Sequence, residues 1–326
     1  MSRDVPPWQQ RTYAQAVAAL DAGRLPHGLL LAGPAGLGKL AVARRLAGRL
    51  LCRSPSATDA CGQCRSCQLL AAGTHPDLLE ETLELNDNAV LRREILIAQI
   101  RRLTEKLMLT PHLAMGQVAL IHPAEAMNRA TFNAVLKTLE EPPPGRYLIL
   151  LSHQPQRLPA TIRSRCQVLR MDLPPLVEAS AYLRAGGHAT AEAAQALDAA
   201  QGNPGLAAQY LANGGLALRQ NVARDLVALA HGAITVAELA PAWSADQLDL
   251  RLRFAGELLR DHLARRAGRG GSDLLHDSGR TAQLDTRALA DWFDASLRCL
   301  SGLEANLNTP LQTAELLQRW RQLHAN

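Results

Sequence analysis

A glycine-rich loop between a strand pattern and a helix pattern constrains the fold more than any other feature of this 326-residue sequence. The apolar run 28–32 predicts a buried strand, and residues 41–51 have the spacing of an amphipathic helix. Between them, residues 33–40 have the sequence GPAGLGKL. Glycines let backbone N–H groups curl around a phosphate, while the lysine amine and the helix N-terminus add positive charge. The order predicts a phosphate-binding loop, with the candidate nucleotide-binding residues Gly33, Gly36, Gly38 and Lys39.

The positions that would hold Mg²⁺ in an active nucleoside triphosphatase carry unsuitable side chains. Leu40 stands where a Ser or Thr hydroxyl would bind the metal. The strand pattern 118–121 ends in His122 and Pro123, where an acidic pair would be needed. Glu125 could act as a displaced base, but Mg²⁺ would still lack both usual anchors, so a surface residue at a helix start is favoured. We therefore expect weak or no ATP binding, no Mg²⁺ site and no hydrolysis.

Four of the six cysteines lie close together, at Cys52, Cys61, Cys64 and Cys67. Closely spaced thiolates suit tetrahedral Zn²⁺, which prefers sulfur ligands and has no open position when all four ligands are cysteine. An iron–sulfur cluster and free thiols are the alternatives, while disulfides are not expected in a cytosolic chain. The spacing favours a structural Zn²⁺ that holds together the short polar insertion between residues 51 and 74.

Composition places the chain among ordinary globular proteins and excludes several classes. Hydrophobic residues make up 47% of it, and no uninterrupted apolar run approaches the roughly 20 residues that span a bilayer. The first residues lack the pattern of a secretory signal, so we expect a soluble cytoplasmic protein with no membrane partner. Aromatic residues are only 3%, which argues against a β-sandwich, and a net charge of +5 is too small to indicate nucleic-acid binding.

The first half of the chain alternates strand and helix patterns, whereas the second half is helical throughout. Apolar runs at 118–121, 147–151 and 167–171 predict three more strands. Strands that alternate with helices favour right-handed crossovers and a mostly parallel sheet. From about residue 177 the pattern changes to short alanine-rich helices, and after about residue 214 to longer amphipathic helices. The sequence thus predicts an α/β domain followed by a small helical domain and a larger one.

Two further segments place charged residues beside these elements. Residues 133–143, with the sequence NAVLKTLEEPP, have the pattern of an amphipathic helix that prolines end. Residues 161–166, TIRSRC, lie between the last two strand patterns and include Arg165. Taken alone, a surface helix and solvated arginines are the simpler interpretation. Cys166 and Cys299 stand apart from the other cysteines, and we expect both to be buried.

Together, and in this order, these features resemble the bacterial clamp-loader branch of the AAA+ proteins. They are the degenerate phosphate-binding loop, the four-cysteine insertion after its helix, the LKTLEEPP segment at 136–143, and the motif Ser164-Arg165-Cys166. The resemblance runs through the whole chain. It implies a RecA-like α/β AAA+ domain with a zinc-binding insertion, a small helical lid domain, and an all-α collar domain that assembles a ring-shaped hetero-pentamer. The implied bounds are 1–172 with the zinc module at 52–67, then 173–212, then 213–326.

The resemblance also implies a role within that assembly. In this family the arginine of the Ser-Arg-Cys motif projects into the ATP site of the neighbouring subunit as an arginine finger, a role that carries over to Arg165. Because both Mg²⁺ positions are defective while this motif is retained, the chain is most similar to the non-hydrolysing stator subunit. The implied partners are the gamma/tau and delta subunits, the sliding clamp and primed DNA. Nucleotidyl transfer would belong to other subunits of the DNA polymerase III holoenzyme.

Two other functions compete with this interpretation. The first is an active AAA+ ATPase of the gamma/tau type, which the intact glycines and Lys39 would suit but Leu40, His122 and Pro123 would not. The second is a zinc-dependent DNA-binding protein that reads bases through the cysteine insertion. That insertion has only Arg53 and Arg65 as basic residues and no recognition-helix pattern, so this function is disfavoured.

Overall fold

A computed structural model describes residues 5–113, 116–268, 274–275, 285–304 and 309–324 of the chain. The chain divides into two compact units, Met1–Glu178 and Ala179–Asn326. Within the described residues, no helix is both long enough and apolar enough to cross a membrane.

The first unit is built on a five-stranded parallel sheet. Its strands are β1 (Gly28–Ala32), β2 (Leu78–Glu81), β3 (Gln117–Ile121), β4 (Arg146–Ser152) and β5 (Gln167–Arg170), in the spatial order β2-β3-β4-β1-β5. The four predicted strands are confirmed, each to within one residue at either end, whereas β2 was not predicted. The connection that leaves β1 runs toward the β2 edge, while the later strands return toward the β5 edge. This reversal places a crevice at the carboxyl end of β1, where ligands bind in open parallel sheets.

Helices cover both faces of this sheet. In the first unit they are α1 (Pro7–Asp21), α2 (Lys39–Leu51), α3 (Arg65–Ala71), α4 (Ile97–Met108), α5 (Arg129–Glu140) and α6 (Ala160–Arg163), and α7 (Leu176–Ala185) begins at its end. Alternate residues of β1, β3 and β4 pack with α4 and α5 in one apolar core, as the two-residue period of a strand requires. The helix α2 contacts β1, β3 and β4. The predicted parallel α/β architecture is therefore confirmed.

The described part of the second unit is helical, as the sequence predicts. Its helices are most of α7, then α8 (Thr190–Ala199), α9 (Pro204–Ala212), α10 (Gly215–Ala230), α11 (Val236–Ala245), α12 (Leu248–Arg266), α13 (Thr286–Glu304) and α14 (Thr309–Leu323). They share one core that includes Trp243, Phe254, Trp292 and Trp320. The indole N–H of Trp320 donates to the Leu226 carbonyl across 2.8 Å, which satisfies the polar atom of a fully buried ring. The division of the chain into lid and collar domains at residues 212 and 213 stays a prediction.

Candidate functional sites

The predicted phosphate-binding loop lies at the carboxyl end of β1, in the crevice that the strand order creates. Gly36 and Gly38 have φ angles of +83° and +86°, in the left-handed region that side chains disfavour. Gly33 is fixed by a close approach, because a Cβ there would lie 2.1 Å from the Met171 carbonyl oxygen. The sequence therefore uses glycine where this loop curls most tightly, and Gly38 leads directly into α2.

The Lys39 amine points back into the loop. Its Nζ donates to the carbonyl oxygens of Gly33 and Pro34, each across 2.7 Å. The side chain is buried, and this burial lowers the pKa of Lys39 to about 8, although the carboxylate of Glu125 acts in the opposite direction. A phosphate at this position would have to draw the amine away from two carbonyl acceptors.

Two residues of α1 cover the same loop. The Trp8 indole Nε1 and the Gln9 amide Nε2 both donate to the Leu37 carbonyl, each across 3.0 Å. The Gln9 amide lies so close to Gly38 that a Cβ there would be 2.1 Å from its Nε2. The beginning of α1 is therefore fastened to the loop. Sequence reasoning did not identify these contacts, because residues separated by almost thirty positions show no local pattern.

The predicted Mg²⁺ positions offer no free carboxylate pair. His122 ends β3, and its Nε2 lies 2.7 Å from Glu80 Oε1. Arg44 on α2 donates to both oxygens of the same carboxylate, at 3.0 and 2.6 Å. Burial alone would raise the pKa of Glu80, but Arg44 and His122 outweigh it and hold this pKa below its usual value. The nearby carboxylate is thus already engaged by two basic groups.

Glu125, which the sequence offered as a displaced base, has one carboxylate oxygen in a hydrogen bond, while its Oε2 is buried with no hydrogen-bond partner among the described residues. It lies on the 3₁₀ turn Ala124–Ala126 and is partly buried. Its Oε1 accepts the backbone N–H of His153 across 2.9 Å. The carboxylate therefore joins the turn after β3 to the residue that follows β4.

The four clustered cysteines have the geometry of a tetrahedral metal site. Their sulfur atoms all lie within 4.8 Å of one another, and four of the pairs are 3.6–3.9 Å apart. Four sulfurs at the usual Zn–S distance of about 2.3 Å would be about 3.8 Å apart in a regular tetrahedron. The residues present therefore fit a four-coordinate, closed metal site.

Backbone N–H groups support the cysteine sulfurs. The N–H of Cys61 donates to Cys52 Sγ across 3.2 Å, and the N–H of Cys64 donates to Cys61 Sγ across 3.4 Å. Backbone N–H groups of Cys67 and Arg53 lower the pKa of Cys64 to about 6, which favours its thiolate form. Such donors are the usual outer support of metal-bound sulfur.

The cysteine module is tied to the rest of its unit by a buried hydrogen-bond chain. Ser66 Oγ on α3 donates to the Leu51 carbonyl at 2.7 Å and lies 2.8 Å from His75 Nε2. The other ring nitrogen of His75 accepts the N–H of Asp77 at 3.1 Å. Because Nδ1 is an acceptor, Nε2 carries the proton, so the Ser66 hydroxyl is not activated by a base. This Ser–His–Asp sequence is therefore an anchor rather than a catalytic triad.

The Ser-Arg-Cys motif lies between α6 and β5. Ser164 Oγ donates to the Thr161 carbonyl across 3.2 Å, and Arg165 Nη1 donates to the same oxygen across 3.0 Å. Arg165 Nη2 lies 2.7 Å from Oε1 of Glu140, the last residue of α5. The guanidinium side chain remains 37% exposed. Arg165 is thus exposed to solvent, as the simpler expectation has it, but it also has an ionic partner.

Cys166 completes the motif on the inner side. It is buried as predicted, like Cys299, and burial raises the pKa of Cys166 to about 11, so its thiol stays neutral. It lies near Gly28, where a Cβ would be 3.5 Å from Cys166 Sγ. The residue therefore packs the arginine segment against the start of β1 and offers no reactive thiolate.

Register places Arg165 at the amino end of the sheet. The first residue of β5, Gln167, is level with Leu29 in β1. The phosphate-binding loop follows the other end of β1, after Ala32. The two predicted sites of this unit are therefore separated by the length of a strand.

These observations define a protein with a parallel α/β unit, a glycine-rich loop at the carboxyl end of β1, a four-cysteine cluster, and an arginine at the opposite end of the sheet. A family model described as "DNA polymerase III, delta subunit" matches residues 8–175. Delta-prime subunits of DNA polymerase III from Pseudomonas aeruginosa and Escherichia coli are 36% and 33% identical to the chain. The Pseudomonas protein matches over 98% of this chain and 98% of its own length. The Escherichia coli protein matches over 80% of this chain and 77% of its own length. The chain belongs to the DNA polymerase III delta-prime subunit family.

Similarity to a second kind of subunit is restricted to part of the chain. The DNA polymerase III tau subunit of Escherichia coli is 34% identical over 169 residues, which is 49% of this chain and 25% of that protein. The full-length similarity therefore lies with the delta-prime subunits.

Proposed function

We propose that this chain is a non-hydrolysing subunit of the DNA polymerase III clamp loader that supplies Arg165 to the ATP site of a neighbouring subunit. The observation that carries the proposal is the placement of Arg165 at the sheet edge opposite to the chain's own phosphate-binding loop. In this role it joins gamma/tau and delta subunits in a hetero-pentamer that loads the sliding clamp onto primed DNA in the cytoplasm. Polymerisation resides in partner subunits.

The state of the chain's own loop supports the non-hydrolysing half of the proposal. Leu40 has no oxygen to bind Mg²⁺, and His122 and Pro123 replace the acidic pair that an active site needs. The carboxylate of Glu80 is held by Arg44 and His122, and the Lys39 amine by loop carbonyls. The loop thus acts as a structural element of the unit, with ATP bound weakly or not at all.

The chemistry of the guanidinium supports the trans-acting half. During phosphoryl transfer, negative charge spreads over the oxygens of the γ-phosphate, and hydrolysis needs a cation that faces them. Arginine stays charged and presents several donors in one plane, which suits it to this position. Arg165 supplies that charge from a surface where a second subunit can reach it.

For the cysteine cluster we propose a structural Zn²⁺ bound by Cys52, Cys61, Cys64 and Cys67. The sulfur separations support four-coordinate binding, and a metal with four protein ligands has no open position for substrate. When bound, the metal would link the end of α2 to α3 and so fold the insertion onto its unit.

The experiment that tests the proposal measures ATP hydrolysis by the reconstituted loader with its clamp and primed DNA. Complexes contain the wild-type chain, the Arg165→Ala variant, or the Arg163→Ala variant, which removes an exposed arginine from the same segment. We expect the Arg165→Ala complex to assemble normally. The rate of ATP hydrolysis at one site per complex should fall by about 10³-fold or more. Arg163→Ala should retain wild-type turnover.

The part of the turnover that Arg165→Ala removes is called here the Arg165-dependent turnover. Equal turnover in the wild-type and Arg165→Ala complexes would contradict the trans-acting role. Loss of assembly in the Arg165→Ala variant would instead assign Arg165 to holding the subunits together.

A further inference from the structure

Glu140, the ionic partner of Arg165, is an acidic residue at the C-terminus of a helix, where basic residues are usually preferred. Glu140 is the last residue of α5, and Glu141 follows it. A helix C-terminus carries partial negative charge, so carboxylates there are unfavourable and cations are favoured. Of these two glutamates, Glu140 has an ionic partner, Arg165, which lies 2.7 Å away. A carboxylate at this position is therefore not explained by the stability of α5.

Packing holds both ends of this ion pair in place. His27 Nε2 lies 2.7 Å from the carbonyl oxygen of Leu139, which fixes the last turn of α5. A Cβ on Gly28 would lie 2.8 Å from Leu139 Cδ2 and 3.0 Å from the Arg165 carbonyl oxygen. The end of α5 and the arginine segment thus converge on a single glycine at the start of β1. Glu140 and Arg165 project from a junction whose backbone is closely packed.

The two acceptors around Arg165 restrict the guanidinium. Thr161 O binds Nη1 across 3.0 Å, and Glu140 Oε1 lies 2.7 Å from Nη2. A free arginine side chain has high rotamer entropy, which is lost when it docks on a ligand. Holding the side chain before docking lowers that entropic cost and keeps the charge aimed in one direction.

We infer that Glu140 is a positioning residue for Arg165, which holds the guanidinium ready for the γ-phosphate of the neighbouring subunit's ATP. This inference rests on the proposed function, because Glu140 acts only through Arg165. The carboxylate touches neither ATP nor water in the reaction. Its removal should lower the maximal rate of the Arg165-dependent turnover and leave the KM for ATP unchanged, because an interaction needed in the transition state is weakened.

The size of the effect follows from the exposure of the pair. The side chains of Arg165 and Glu140 are 37% and 48% exposed, so solvent screens their attraction. We expect Glu140→Ala to lower the Arg165-dependent kcat by about two- to fivefold. Glu140→Gln keeps an acceptor oxygen without the charge and should lose less than Glu140→Ala.

The test is a double-mutant cycle in the reconstituted loader, with initial rates measured over a range of ATP concentrations. The complexes contain wild type, Glu140→Ala, Arg165→Ala, or both changes, and Glu140→Gln repeats the comparison with a smaller perturbation. Glu141→Ala is the matched control, because this neighbouring glutamate is exposed and has no ion-pair partner among the described residues. Gel filtration of each complex establishes that assembly is complete.

The inference predicts a lower kcat for Glu140→Ala at constant KM, no further loss when Arg165 is already alanine, and wild-type rates for Glu141→Ala. An equal loss from Glu140→Ala in both backgrounds would overturn it, since Glu140 would then act independently of Arg165. If Arg165→Ala slows the complex and Glu140→Ala does not, the positioning role fails while the proposed function stands. If Arg165→Ala has no effect, both fail.

Discussion

Lys39 and Arg165 lie at opposite ends of the same parallel strand. Lys39 begins α2 directly beyond the carboxyl end of β1, while Arg165 precedes β5, whose first residue is level with Leu29 near the amino end of β1. At about 3.3 Å per residue, this strand separates them by roughly 16 Å. The two residues therefore lie at different ends of the sheet. Arg165 is therefore not part of the loop that holds Lys39 in its own chain.

The first prediction concerns ATP hydrolysis by the chain alone. Because Leu40, His122 and Pro123 offer no suitable ligands for Mg²⁺, we expect the chain to hydrolyse ATP no faster than buffer containing Mg²⁺ does without protein. Phosphate release from the isolated chain, at the concentration used in the complex, measures this. Turnover that disappears in a Lys39→Ala variant would identify an active ATPase of the gamma/tau type and contradict the non-hydrolysing role.

The second prediction concerns the cysteine module. Metal analysis of chain purified under reducing conditions should find one zinc ion per chain, because four sulfurs surround one tetrahedral position. Cys64→Ser should lose the metal and lower the melting temperature, since the short insertion between α2 and β2 depends on it to fold. Cys299→Ala, which removes a buried thiol of the other unit, should keep the zinc. Iron in place of zinc, or no metal in the wild-type chain, would refute the assignment.

The third prediction concerns the junction at Gly28. A Cβ there meets Leu139 and the backbone of Arg165, so Gly28→Ala should destabilise the first unit by about 1–3 kcal/mol and reduce the Arg165-dependent turnover. Gly48→Ala is the control. Gly48 lies in α2, where a Cβ has only ordinary contacts at 3.8 Å or more, so alanine should stabilise the helix by about 0.5–1 kcal/mol. Denaturant unfolding measures both, and equal stability of the two variants would show that the junction is not tightly packed.

The fourth prediction concerns a buried acid in the second unit. Burial raises the pKa of Glu257 to about 7, although Arg260, Arg253 and Arg219 oppose this shift and Asp261 adds to it. Because the folded state then binds this proton more tightly than the unfolded state, the contribution of Glu257 to the free energy of unfolding falls as the pH rises from about 4.5 to about 7. The Glu257→Gln variant lacks this titration. Its free energy of unfolding should exceed that of wild type by up to about 3 kcal/mol at pH 8 and equal it near pH 4.5.

Urea unfolding followed by tryptophan fluorescence measures this difference, since Trp243, Trp292 and Trp320 all lie in the second unit. Glu192→Gln is the matched control, because Glu192 is an exposed glutamate of α8 in the same unit. Its stability should follow that of wild type at every pH. A constant difference between Glu257→Gln and wild type across this range would contradict the buried, titrating carboxyl.

The three central strands and the edge strand β5 were predictable from sequence, whereas the other edge strand, β2, was not. The runs that became β1 and β3 are fully buried and apolar, which local hydrophobicity reveals. The strand β2, with the sequence LLEE, is only partly buried, and one of its glutamates binds Arg44 and His122. Because two of its four residues are glutamates, β2 lacks the continuous apolar run that predicts a buried strand. Tertiary ion pairs of this kind cannot be read from a local window.

The candidate sites divide in the same way. Glycines with left-handed φ angles and closely spaced cysteines leave local patterns, so the loop and the cluster were found. The ion pair between Glu140 and Arg165 joins residues on two separate elements, and so does the hydrogen bond from Trp8 to Leu37. Contacts of this kind leave no local pattern in the sequence. One signal for Glu140 was present in the sequence, namely a carboxylate at a helix C-terminus, where charge preference disfavours it.

The most direct test of the trans-acting role is the affinity of the loader for ADP with aluminium fluoride, which resembles the phosphoryl group in transfer. An arginine that acts in the transition state binds this complex more strongly than ATP. We predict that Arg165→Ala weakens binding of ADP with aluminium fluoride at one site by about 10³-fold or more, while a non-hydrolysable ATP analogue binds as in wild type. Equal affinity of the wild-type and Arg165→Ala complexes for ADP with aluminium fluoride would contradict the central role of Arg165.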